Sequence, residues 1–137
     1  MKKRGVFVEK SNWNILKLLK IRASEYGEKE FIRFDSGTSL SFKLLDEQSD
    51  KFACKLLDIG LQEDENVFCL LKNSPEFLIS LFAVMKIGAV FVPINTELRG
   101  QFLEHQFLNS EPKIVIIDNM LLEVFKNIKT QENKLKG

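Results

Sequence analysis

Apolar residues recur along this chain in two rhythms, and the switches between them mark out the elements. Between residues 12 and 26, Ile15, Leu19, Ala23 and Tyr26 fall at intervals of four, four and three, a helical period. Gly27 stands where a left-handed turn would close that helix. The stretch EFIRFDSGTSLSF (30–42) then alternates apolar and polar residues on both sides of DSGT, which predicts a β-hairpin. Ser41 is placed to cap a second helix with Leu45, Phe52, Leu56 and Ile59 on one face and Gly60 after it.

The second half reads as strands and helices in turn. NVFCLL (66–71) is a short apolar run of the kind that forms a strand buried on both sides. In NSPEF (73–77), Ser74 suits an N-cap, Pro75 the first helical position and Glu76 the positive helix end. The helix continues through EFLISLFAVMK, apolar nearly all round and therefore expected to be deeply buried. Gly88 ends it, AVFVPI (89–94) is expected as a buried strand, and Pro93 stops that strand. A helix over 101–108, a buried strand at KIVIID (113–118) and a helix over 120–128 with Leu121, Val124, Phe125 and Ile128 on one side complete the pattern.

Strands alternating with helices at this spacing predict an α/β fold with a largely parallel sheet flanked by helices, plus an N-terminal hairpin. The expected organisation is one α/β unit over 12–129, with a tail at 1–11 and a polar tail at 130–137. The most apolar window, 77–93, contains Lys86 and Gly88 and is shorter than the roughly 20 residues that cross a bilayer. KIGAVFVPIN (86–95) is therefore a helix–glycine–strand junction.

Composition narrows the picture further. The 137 residues, 45% hydrophobic with a formal net charge of +1, are those of an ordinary globular domain and leave no basic footprint for nucleic acid. The opening MKKRGVFVEKSN holds only four residues (5–8) of apolar core, too few for a secretory signal. The expected location is cytoplasmic. Cys54 and Cys69 match no zinc or redox spacing and read as small hydrophobes in a reducing compartment.

Candidate chemistry is sparse. Phosphate-loop, dinucleotide, nucleophile-elbow and zinc-helix motifs do not occur, and the seven glycines are scattered singly. His105, the one histidine, sits in a predicted helix and reads as a structural or surface residue. Asp46, Glu47 and Asp50 could form an acid pair or cation site but read as a solvated helix face, as does the loop acid run at 63–65. The phenylalanines fall on buried stripes and read as core. KNSPEF after NVFCLL is the one candidate phosphate turn, and Pro75 removes a backbone donor from it.

Taken in order, LSFKLLDEQSDKFACKLLDIGL, NVFCLLKNSPEFLISLFAVMKIGAVFVPINTELRG and FLEHQFLNSEPKIVII resemble the N-terminal part of adenylate-forming (AMP-binding) enzymes. The resemblance covers roughly residues 12–118 and is nearest to acyl-CoA ligases of the fatty-acid and carnitine/crotonobetaine type. It implies a parent reaction in which a carboxylate attacks ATP to give an acyl-adenylate, from which CoA displaces AMP. ATP, magnesium and CoA are thus implied for the complete enzyme and none for this piece. The family's Ser/Thr/Gly-rich phosphate loop, its ribose and magnesium residues and its mobile-domain lysine have no counterpart here. Gly88, Pro93 and Asn95 match the family pattern as architecture, Leu44 replaces the acid of a capping box, and no catalytic, cofactor-binding or metal residue carries over.

Three readings follow from the resemblance. The chain is an N-terminal scaffold inactive alone, partnered by the remainder of the enzyme. Alternatively, it is a stand-alone interaction module or split-enzyme subunit docking a partner or a second copy at a sheet edge. Thirdly, it belongs to an amino-acid-activating adenylation domain. The first predicts that KIVIID or AVFVPI lacks a neighbour on one side.

Overall fold

The computed structural model describes residues 14–128. Its α/β order is α1 (Ile15–Tyr26), β1 (Glu30–Arg33), β2 (Ser39–Ser41), α2 (Phe42–Asp58), β3 (Asn66–Leu70), α3 (Pro75–Ile87), β4 (Val90–Pro93), α4 (Gly100–Ser110), β5 (Ile114–Ile117) and α5 (Leu122–Lys126). The tails, the signal-sequence question and the first two residues of the expected first helix lie outside the described residues.

Local chemistry sets each boundary. Asn14 caps α1, accepting from the Leu16 and Lys17 amides, and the Ser41 hydroxyl accepts from the Leu44 amide at 3.0 Å. Ser74 caps α3 through the Phe77 amide at 3.2 Å, with Pro75 in the first turn. Gly88 closes α3 in the left-handed region at φ 81° and ψ 12°, and a Cβ there would stand 3.1 Å from Glu63 Cγ. Gly27 has a positive φ of 47° but ψ of −110°, so it turns the chain without the expected left-handed helical geometry.

β1 and β2 form the predicted antiparallel hairpin. The main sheet is parallel, in the order β4-β3-β5. From β3 the chain crosses through α3 to β4, then through α4 back past β3 to β5. Right-handed crossovers in opposite directions place the two helices on opposite faces. The side chains agree: Val67 and Cys69 of β3 pack with Ala83 and Val84 of α3 and with Ala53 and Leu56 of α2. On the other face, Phe68 and Leu70 pack with Leu103 and Phe107 of α4 and Phe125 of α5. Phe68, Phe107 and Phe125 form a ring cluster with centroids 5.3–6.0 Å apart.

Several expectations shift by a position or a face. In α1 the buried residue is Leu19, backed by Leu16, while Ile15 and Tyr26 are exposed. In α2 the inward face runs through Leu45, Ser49, Ala53 and Leu56, and Ile59 lies past the helix end at 67% exposure. Cys54 points outward from α2 and is not a core hydrophobe, whereas Cys69 is fully buried. AVFVPI is a half-exposed edge strand, since among the described residues β4 has a partner on one side only. The expected helix over 120–128 begins as a 3-10 turn at Asn119–Leu121, with Asp118 accepting from the Met120 amide. Among the described residues, no helix is long and apolar enough to cross a membrane.

Candidate functional site

The order β4-β3-β5 makes the loops diverge on both sides of β3, because α3 packs on one face and α4 and α5 on the other. Because β3 leads to a helix on one face and its neighbour β4 to a helix on the other, the loops 71–74 and 94–99 part at the carboxyl ends of these strands. Such a divergence leaves a crevice, the usual position for ligands in open α/β sheets. Here it encloses about 350 Å³ and is lined by Lys72, Asn73, Phe77, Asn95, Thr96 and Glu97, among others. Asn95 shapes its floor: Oδ1 accepts from the Glu97 amide at 2.9 Å, and its carbonyl from the Leu98 amide at 3.2 Å. Sequence reasoning took Asn95 as architectural and did not place it opposite Asn73. The signal available was the pair of apolar runs each ending in a polar loop containing Asn.

A second cluster lies away from this end. Lys86, near the end of α3, aims its ammonium between the first and last carboxylates of the α2 acid run. Nζ donates to Asp46 Oδ1 and Asp50 Oδ1, both at 2.7 Å, to the Ser49 hydroxyl at 2.9 Å and to the Asp46 carbonyl at 3.0 Å. Lys20 of α1 stands 3.9 Å from both carboxylates. The Lys86 and Asp46 side chains are only 15% and 13% exposed, so this is a half-buried ionic knot joining three helices. The solvated-face expectation therefore fails for Asp46. It failed because the lysine lies 36 to 40 residues away, beyond any local pattern.

The other candidates are dispersed. His105 is exposed on α4, beside Asn109. Of the loop acids, Glu65 accepts from the Gln62 amide at 2.8 Å and lies 3.6 Å from Lys113. Burial pushes the Cys69 thiol up to about 12 and so keeps it protonated and unreactive. Among the described residues, no group of three or more His, Cys, Asp or Glu side chains could hold a metal ion.

The family described as AMP-binding enzyme matches residues 19–136. The chain belongs to the AMP-binding enzymes. It is 29% identical over 117 residues to crotonobetaine/carnitine–CoA ligase of Citrobacter koseri, covering 82% of this chain and 23% of that protein. A 2-succinylbenzoate–CoA ligase of Oceanobacillus iheyensis is 32% identical over 95 residues, covering 69% of this chain and 20% of its own length. The N-terminal domain of FACL13 from Mycobacterium tuberculosis superposes with a TM-score of 0.79 at 25% identity, over 88% of this chain and 31% of that one. The expected resemblance and fold class both hold, and the chain spans about a fifth of the curated relatives it matches.

An AMP-binding enzyme must hold a nucleotide, and the crevice does not fit the phosphates of one. At the neighbouring α3 N-terminus the Ser74 hydroxyl already takes the Phe77 amide, and Pro75 has no N–H to offer. Glu97 puts a carboxylate in the crevice lining, and Glu76 puts another in the first turn of α3, where it takes up the positive end of the helix. Lys72 is the one cationic side chain in the lining.

Proposed function

We propose that this chain is the N-terminal scaffold of an ATP-dependent acyl-CoA ligase and performs neither half-reaction alone. In the complete enzyme, a carboxylate oxygen attacks the α-phosphate of ATP and pyrophosphate leaves. The CoA thiol then attacks the acyl carbon of the acyl-adenylate, AMP departs and the thiol proton goes to solvent. ATP, magnesium and CoA belong to the parts that would complete the enzyme. The unit over 12–129 supplies helices and strands that position them, with 1–11 and 130–137 as flanking tails, and the setting is the cytoplasm.

One observation carries this reading: the family match extends through most of the chain, while the chain corresponds to only 20–23% of its CoA-ligase relatives. The mixed charge of the crevice, lined by Lys72 and Glu97, supports a structural role for that end of the sheet.

Isothermal titration with ATP and magnesium, in the presence of a fatty acid or a carnitine-like acid, tests the scaffold reading. The expected result is no saturable heat. Saturable binding with a Kd in the micromolar range would refute the reading and place a nucleotide site on this chain.

A further inference from the structure

At the opposite end of α3 from the crevice, α1, α2 and α3 leave an open slot of about 540 Å³. Leu16, Lys17, Lys20 and Ile21 of α1 line it, with Asp50 of α2 and Lys86 of α3. Phe77 lines the crevice and Lys86 the slot, so about 14 Å of helix separates the two. The volume is within the range of small-molecule sites. The four α1 residues share one face of that helix, where two aliphatic side chains alternate with two cationic ones. Leu16 is half-buried, while Ile21 keeps 37% of its surface in water.

The charges of the slot are not equivalent. Lys86 has three N–H groups and four oxygens within 3.0 Å, so it has no donor to spare. Lys20 is placed differently. Its side chain is 71% exposed and stands 3.9 Å from both Asp46 and Asp50, well beyond the 2.7–2.9 Å of a direct charge-assisted bond. Its N–H groups can therefore turn to an incoming acceptor while the knot stays closed. The lining carries three lysines and one carboxylate, and Asp46 behind it brings the local balance to +1. A triphosphate would be left with uncompensated charge, and a cation would meet like charge on three sides. A wholly apolar molecule would desolvate Lys20 with nothing in return. One negative charge on an apolar body matches both the balance and the lining.

We infer that the slot binds a small aliphatic carboxylic acid as its anion, with the carboxylate on Lys20 and the aliphatic body along Leu16 and Ile21. The inference goes beyond the ligase reading and does not depend on it. The slot lies away from the strand ends, and the acid is held there without reacting. Because the lining comes from three helices, occupancy ties α1 more firmly to α2 and α3. The site thus makes the attachment of α1 responsive to the concentration of free acid.

The test titrates octanoate, below its micellar range, into the full chain and follows backbone amide chemical shifts. The expected result is saturable movement of the Leu16, Lys20, Ile21 and Asp50 signals, with a Kd of about 1 mM or tighter. Acetate has the charge without the body and 1-octanol the body without the charge, and each should bind at least about tenfold more weakly. Lys20→Gln should raise the octanoate Kd by about tenfold, and Lys20→Arg should restore it to within about twofold. Ile21→Ser should raise it by about threefold or more. Signals of the sheet strands, unchanged in all three variants, show that each is folded.

Several results would overturn the assignment. If octanol binds as tightly as octanoate, or Lys20→Gln has no effect, the slot is only an apolar surface. If acetate matches octanoate, the site is a bare cation without an apolar subsite. Saturable shifts centred on Lys72 and Asn95 would put the acid in the crevice instead of the slot. Absence of saturation by about 10 mM octanoate would likewise refute binding here. None of these outcomes bears on the ligase reading, which the nucleotide titration tests separately.

Discussion

Replacing Lys86 by methionine keeps the aliphatic stem in the core and deletes only the ammonium, which isolates the ionic knot. The structure sets the size of the effect. The bonds to Asp46 are charge-assisted and mostly shielded, worth about 1.5–3 kcal/mol. Asp50 is 51% exposed, and its pair with Lys86 adds no more than about 0.5 kcal/mol. Removal also strands the Asp46 carboxylate with Lys20 at 3.9 Å as its remaining cation in the knot. Lys86→Met should therefore destabilise by about 2–4 kcal/mol in urea titrations followed by far-ultraviolet circular dichroism. That corresponds to a fall in Tm of about 8–16 °C. Asp46→Asn retains an acceptor for Lys86 and should lose about 1–2 kcal/mol. The double variant should fall short of the sum by at least ~1 kcal/mol, because the second change removes the stranded charge. A Lys86→Met protein within 0.5 kcal/mol of the parent, or strictly additive losses, would mean the knot is screened like an ordinary surface pair.

Two further outcomes follow from backbone geometry and burial. Gly88→Ala should cost about 1–2 kcal/mol by thermal or urea unfolding, since φ is 81° and the added Cβ would press on Glu63; a neutral change would refute the assigned cap. Cys69 has its thiol raised to about 12 from an ordinary 9.0, so the folded state holds a proton that the unfolded state releases. Its contribution is complete below pH 9 and is lost as pH rises toward 12, at about 1.4 kcal/mol per pH unit. Cys69→Ala should remove that slope, and in the parent at pH 8 a thiol reagent should label exposed Cys54 fast and Cys69 only on unfolding.

What the sequence made legible was whatever depends on near neighbours. The Ser41 and Ser74 caps, Pro75 at a helix start, the Gly88 stop and the DSGT hairpin each act within a few residues, and each is where the pattern put it. Faces were less legible. The α2 stripe includes Ser49, whose hydroxyl donates to the Leu45 carbonyl at 2.7 Å and so satisfies itself inside the core. A polar residue that carries its own partner is invisible to a hydrophobic count, and Ile59 was assigned inward in its place. β4 misled for a related reason: an edge strand beneath helices is as apolar as a central one, and only pairing order separates them. The Lys86 partner of the ionic knot was not legible, because it is brought to Asp46 and Asp50 from 36 to 40 residues away, and the crevice was signalled only by two apolar runs that each end in a polar loop containing Asn.

The stretch KIGAVFVPIN shows how residues that set backbone direction can carry a family's recognisable pattern. Lys86 ties the end of α3 to α2, and Gly88 takes a left-handed conformation in which its carbonyl accepts from the Asp64 amide at 3.0 Å. Val90 then enters the sheet by donating to Glu65, Pro93 blunts the outer edge, and Asn95 turns the chain away through Glu97. Each residue fixes a direction, and together they determine where β4 leaves the sheet and how the crevice wall beside β3 is oriented. Errors in such settings accumulate along the path, so several positions must be right at once. Backbone direction alone can thus constrain this sequence as tightly as chemistry would, and it constrains the position at which the rest of an adenylate-forming enzyme would meet the sheet.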